Sequence, residues 1–148
     1  MGIENLKPSD KATVLGVIAP ISQGVGTATS AWISVQNFAQ IVALLQTGVL
    51  GSSATVDAKF QQATDGSGTS AKDITGAAIT QIVKASGDGK QAFINLNPEL
   101  MDSANGFSYV QLSMTVGTAA SLIAAVVLGF SADLAPGSQA ATVVQTIN

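Results

Sequence analysis

Three reactive residue types are missing from this 148-residue chain: cysteine, histidine and arginine. Without cysteine there is no thiolate nucleophile, no redox centre and no disulfide staple. Without histidine a Ser-His-Asp site, an imidazole base and a His-rich metal site are excluded. Without arginine the chain lacks the planar fork that grips phosphate in two places. Its six cations are all lysines, Lys7, Lys11, Lys59, Lys72, Lys84 and Lys90, scattered rather than clustered. With a net charge of −3, the surface does not draw nucleic acid. Charged residues make up only 10% of the chain, well under the usual quarter. So few charges make a poor solubility device for a free monomer, which implies that part of the surface lies against partners.

What is abundant is Gly, Ala, Ser, Thr, Gln and Asn, set among short β-favouring runs. A chain of this length makes one domain and needs no metal or staple to hold its core. "ATVLGVIAP" reads as a strand stopped at Pro20, and "SAWISVQNF" as a strand near residues 29–36. "NFAQIVALLQTGVLG" fits a helical face through Phe38, Ile41, Val42, Leu45 and Val49 as well as an extended strand; its neighbours favour a long strand turning near Thr47 and Gly48. In "SSATVDAKFQQATD" Ala54, Val56, Ala58, Phe60 and Gln62 share one parity, the mark of a strand with one wet face. A loop follows at "DGSGTSAKD", then a helical turn around Ser70–Ile74 and a strand around Ala78–Ala85. "GDGK" turns the chain into the short strand "QAFINL", and "NPELMDSANG" gives a helical turn and a loop.

The window "YVQLSMTVGTAASLIAAVVLGF", Tyr109–Phe130, carries no charge and is long enough to cross a bilayer. Its first half argues otherwise, because Val110, Leu112, Met114 and Val116 alternate with Gln111, Ser113 and Thr115. Basic flanks are absent, and acidic Asp102 and Asp133 stand on the two sides. A buried helix would scatter the same alternation. The window therefore divides into an alternating strand, Tyr109–Val116, and a strand apolar on both faces, Leu122–Phe130, which must be central or covered on its outer side. About eight short strands point to an all-β, antiparallel β-sandwich, a jelly roll. The expected organisation is an N-terminal arm at 1–11, the sandwich at 12–134 and a C-terminal tail at 135–148. The N-terminal residues carry Glu4 and Asp10 and no apolar core, so no secretory signal is expected; Leu6 stands where myristoylation needs a small hydroxyl residue.

No constellation compels a catalytic reading. The carboxylates Glu4, Asp10, Asp57, Asp65, Asp73, Asp88, Glu99, Asp102 and Asp133 show no spacing that marks an acid/base pair. "DGSGT" starts like a calcium loop but has Ser70 and Gly76 where that loop needs glycine and glutamate, so a turn made with Asx and hydroxyl hydrogen bonds is expected. "GVGT" and "GSGT" do not lead into Gly-Lys-Ser/Thr, so no phosphate loop is present. Trp32 and Tyr109 could form a stacking platform for a sugar, although core positions suit them better. Neither a cofactor nor a metal is expected.

Three pieces, "TVDAKFQQATD", "DITGAAITQI" and "YVQLSMTVG", occur in an order and spacing that resembles small structural proteins of tailed phages, the capsid decoration or cement proteins and other head-associated components. The resemblance spans about Trp32–Ser138. It implies a virion protein on the capsid surface, made in the host cytoplasm, which binds the major capsid protein and itself as a dimer or trimer, without nucleic acid or membrane. Related chains carry arginine in the Tyr109–Ser138 region where this one does not, so less charged contacts are expected. Candidate oligomer or capsid contacts are Val14, Val17, Ile18, Ile123, Ala125, Val127, Val143 and Val144. A tail or head-tail junction protein and a carbohydrate-binding sandwich are the alternatives.

Overall fold

Alternation of period two is what turns this chain into sheets: one parity of each strand is withdrawn from water and the other is left out. A computed structural model describes residues 7–132 and 140–147. Among them are ten strands, β1 Ala12–Gln23, β2 Gly26–Thr29, β3 Ile33–Ser34, β4 Phe38–Thr47, β5 Thr55–Ala63, β6 Lys72–Ala78, β7 Ile82–Val83, β8 Gln91–Leu96, β9 Tyr109–Gly117 and β10 Ser121–Ala132. One sheet runs β1-β10-β4-β8 and the other β2-β9-β5-β6, with β3 also on β9 and β7 also on β5. Every pairing is antiparallel.

The connectivity defines the fold. The first strand pairs with the last, β2 and β3 pair with β9, β4 with β8, and β5 with β6 and β7. The chain is thus one long hairpin of strand pairs wound into two facing sheets, which is a jelly roll. The core lies between them: Ile41, Ala43, Leu45, Ile123, Ala125 and Val127 from one sheet meet Val56, Ala58, Phe60, Leu112, Met114 and Val116 from the other. Phe60, Leu112 and Met114 are fully buried.

Several local expectations change. Residues 38–47 are strand, and the helical alternative fails because β10 and β8 pair with β4 on both sides while Val49, on the supposed helical face, is exposed. Pro20 does not stop β1, which continues to Gln23; β1 is an edge strand whose register shifts between Ile18 and Ile21, where a residue without an N–H is tolerated. The strand around Trp32 is broken. From Thr29 to Ile33 the chain takes four steps while β9 takes three, and the Ser30 hydroxyl accepts the Leu112 N–H at 3.0 Å in place of a ladder bond. Residues 72–78 are strand, not helical turn, because Ile74 and Ala77 must face the core. The following strand is only Ile82–Val83, since a one-turn helix, Lys84–Gly87, replaces its second half. Of the N-terminal arm, Pro8–Lys11 form one helical turn against β1. Residues 1–6, 133–139 and 148 lie outside the described residues.

The two sheets are tied at one end by a polar cluster. Thr47, buried at the end of β4, donates its hydroxyl to the Gly87 and Lys90 carbonyls and accepts the Lys90 N–H. Asp88 accepts the Leu50 N–H at 2.9 Å and the Lys84 ammonium at 2.7 Å. This fixes where β8 enters the first sheet, and so which of its side chains point outward.

Candidate functional site

The outward parity of β10 is Leu122, Ala124, Val126, Leu128 and Phe130. Register carries this parity across the sheet in rows. Val14 lies opposite Leu128, which lies opposite Val42 and then Asn95; Val17 opposite Val126, then Leu44 and Phe93; Ala124 opposite Gln46 and Gln91; and Phe130 opposite Gln40. The row members on β1, β4 and β10 between Val14 and Phe130 that are apolar are half-buried, Leu122 is 44% exposed and Phe93 is 65% exposed. No residue in these rows is charged. The polar side chains in them are the amides Gln40, Gln46, Gln91 and Asn95, with Ser22 opposite Leu122 at the edge. A groove of about 530 Å³ opens between β4 and β8, lined by Gln40, Val42, Phe93, Asn95 and Phe130. A second, of about 490 Å³, opens near Pro20, Ile21, Ser22, Gln46 and Leu122.

Four of the sequence-derived contact candidates do not reach this face. Ile18, Ile123, Ala125 and Val127 are 5, 2, 3 and 0% exposed and pack in the core, so in the folded chain they cannot touch a partner. Ile123, Ala125 and Val127 stand on the inward parity of β10. Both parities of Leu122–Phe130 are apolar, so alternation within the strand could not decide, whereas the partner strand could: in β4, Gln40 and Gln46 share parity with Val42 and Leu44, marking the outward side. Val14 and Val17 do lie on the outer face. Val143 is half-buried and Val144 is 94% exposed, in a segment that returns to β1 through the Ala140 N–H bonded to the Val14 carbonyl at 2.8 Å.

The other sheet presents a different exterior. Asp57, Lys59 and Gln61 of β5 stand beside Thr115, Ser113 and Gln111 of β9. Lys59 bonds Asp73 at 2.7 Å, Gln61 donates to the same carboxylate, and Gln81 donates to Asp57. The Lys59 ammonium, with Gln61 assisting, holds the Asp73 carboxyl below its ordinary range. Asp102 is lowered by Lys72 and then Asn105, and Asp88 by Lys84 and then the Leu50 N–H. These are exposed pairs, worth little each.

Neither the carboxylates nor the aromatic pair come together as a ligand site among the described residues. Among the described residues, no three of Asp and Glu come together as metal ligands would. Asp65 is consumed by its own loop, accepting the Ser67 and Thr69 N–H groups and the Thr69 hydroxyl, and those bonds hold its carboxyl low. That is the Asx turn expected from "DGSGT". The same loop covers both aromatics. A Cβ on Gly68 would lie 2.6 Å from the Trp32 Nε1, and one on Gly66 would lie 3.4 Å from the Tyr109 ring. Trp32 and Tyr109 are half-buried beneath backbone and offer no open platform.

Fold and surface together define an all-β jelly-roll protein with one polar and one uncharged outer sheet face. No protein-family model matches the sequence, and no curated protein matches it. Similarity is found among solved structures, and it is distant. The Cowpea mosaic virus top component, a naturally occurring empty particle, aligns at 12% identity over 88% of this chain and 89% of that chain, with a TM-score of 0.41. The infectious bursal disease virus Gx strain structure aligns at 12% identity over 88% of this chain and 36% of the other, with a TM-score of 0.38. Bacillus endospore appendages, described as disulfide-linked pili, align at 16% identity over 85% and 96%, with a TM-score of 0.31.

Proposed function

We propose that this chain is a structural virion protein, a decoration or cement protein that binds the outside of a major capsid shell and stabilises it by many repeated contacts. In this reading it is not an enzyme, needs no cofactor, touches neither nucleic acid nor membrane, and sits on the particle surface after synthesis in the host cytoplasm. The observation that carries the reading is the uncharged, largely apolar outer face of the β1-β10-β4-β8 sheet, an assembly surface that the monomer does not use for its core. Catalysis has no comparable support: Asp73, Asp102 and Asp88 are spent on ion pairs with lysines and Asp65 on its own turn. The sequence resemblance to phage head proteins points the same way.

The test is to compare particles with and without the protein under heating, following release of DNA. Particles lacking it are expected to lose DNA at a lower temperature; equal survival overturns the cement role. Quantifying the protein in separated heads and tails distinguishes the neighbouring structural role, because a junction or tail protein would be absent from tail-free heads at high copy number.

A further inference from the structure

The uncharged sheet face asks for an occupant, and its chemistry narrows the choice. In a twofold interface each residue near the axis meets its own kind, so a lysine or aspartate there would face a like charge. Amides behave differently, because each carries both donor and acceptor and can pair with itself. The face has that composition: apolar rows centred on Val126, Leu44 and Phe93, bordered by Gln46, Gln91 and Asn95, with no charge at all. The polar face of the same molecule, with Asp57 and Lys59, does not.

Size agrees. Four strands about 4.8 Å apart and about nine residues long at 3.3 Å per residue cover roughly 550 Å². Two copies face to face would then bury about 1,100 Å², above the roughly 1,000 Å² that separates specific interfaces from incidental ones. Two twisted sheets pack readily in this manner, about 10 Å apart with interdigitating side chains. Phe93, 65% exposed beside the β4–β8 groove, is the aromatic anchor such an interface uses.

We infer that the outer face of the β1-β10-β4-β8 sheet is the docking surface for a second copy of this chain, packed sheet on sheet about a twofold axis near the Val126–Leu44–Phe93 row. The inference rests on reading that face as the chain's assembly surface, and adds that its occupant is the chain itself and not the shell. The shell then meets other surfaces of the dimer.

The absence of cysteine makes the test direct. A single Phe93→Cys substitution in the full chain is expected to give a covalent dimer on mild oxidation or with a short bis-maleimide, whereas Gln61→Cys on the polar face is not. Sedimentation of the unmodified chain over about 1–100 μM, the weak end of the range for interfaces of this size, is expected to show a dimer. Phe93→Lys and Phe93→Asp should each weaken dimerisation about 30-fold or more, and mixing the two should restore it. Restoration also shows that both variants fold. A monomer throughout that range, or cross-linking at position 61 but not at 93, overturns the inference. If the monomer still binds capsids, only the dimer is lost; if the dimer forms but is absent from particles, the virion reading fails instead.

Discussion

The two sheets of this sandwich bury their inner parities equally well, and yet their outer parities have opposite character. On β5 and β9 the outward positions read Asp57, Lys59, Gln61, Gln111, Ser113 and Thr115; on β4 and β10 they read Val42, Leu44, Leu122, Ala124, Val126, Leu128 and Phe130, with the uncharged amides Gln40 and Gln46 towards the ends of β4. Water alone would select the first pattern on both sides, because an antiparallel sheet with one wet face normally alternates apolar with polar. An apolar exterior spread over four strands is larger than the scattered exposed residues that need no explanation. The difference therefore separates what the monomer needs to fold from what it carries for something else. Substitutions in the shared core should disturb both faces, and substitutions on one exterior should leave the other untouched.

The largest effect is expected at the shared core. Phe60 belongs to the polar-faced sheet, but its ring is fully buried against the other. Phe60→Ala should cost about 3–5 kcal/mol in denaturant unfolding, and both exteriors should be lost together. A cost under about 1 kcal/mol would mean that the sheets do not share one core. Next comes Gly129, on the inward parity of β10, where a Cβ would lie 2.6 Å from the Phe38 Cδ1 and 2.8 Å from the Leu15 Cδ1. Gly129→Ala should destabilise by about 1–3 kcal/mol through overpacking. Because Leu15 and Phe38 flank the apolar-faced sheet, that variant is also expected to loosen association more than Thr115→Val on the opposite exterior, as read by sedimentation.

The same comparison explains what the sequence could and could not disclose. β5 and β9 were legible because their polar parity is written in: Asp57, Lys59 and Gln61 against Val56, Ala58 and Phe60, and Gln111 and Ser113 against Leu112 and Met114. β10 was legible as a strand and as a central one, but not in its orientation, because alternation carries no sign when both parities are apolar. Its facing is set by the register with β4, a long-range pairing that no local window contains. The break between β2 and β3 was hidden for a similar reason, since a serine hydroxyl replaces a ladder bond there. The turn expected at 70–74 comes from "TSAKDIT", whose small and charged residues suit a turn, although pairing with β5 across the intervening loop draws Ile74 into the core.

Smaller effects sharpen the contrast. Thr118, in the turn by which β9 of one sheet passes to β10 of the other, has φ +72°, a left-handed conformation that a β-branched residue adopts only under strain. Thr118→Gly should stabilise the monomer by about 1 kcal/mol, raising the unfolding midpoint without altering association. Destabilisation would show that the threonine side chain contributes more than its strain costs. Val126→Thr gives the apolar exterior the residue type found on the polar one while keeping the β-branched shape. Monomer stability should change by about 0.5 kcal/mol or less, as for a surface position, while dimerisation weakens measurably.

The last contrast is in pH. Asp73, Asp88, Asp102 and Asp65 are each held below the ordinary carboxylate range, the first three chiefly by lysine partners and the fourth by the Thr69 hydroxyl. A carboxylate whose pKa is depressed by folding adds stability that is fully present above its unfolded value, about 4, and is lost as the pH falls through the lower folded value. Unfolding of the monomer should therefore be level near neutrality and shift to lower denaturant concentration below about pH 4, modestly, because all four groups are exposed and screened. The apolar exterior contains no titratable side chain in any of its rows. Its association, measured above the pH at which the monomer begins to unfold, should then be insensitive to both pH and salt, since removing apolar surface from water involves no charge. An association that strengthened or weakened across the carboxylate range would place the contact on the Asp57–Lys59 side, and the roles of the two exteriors would be exchanged.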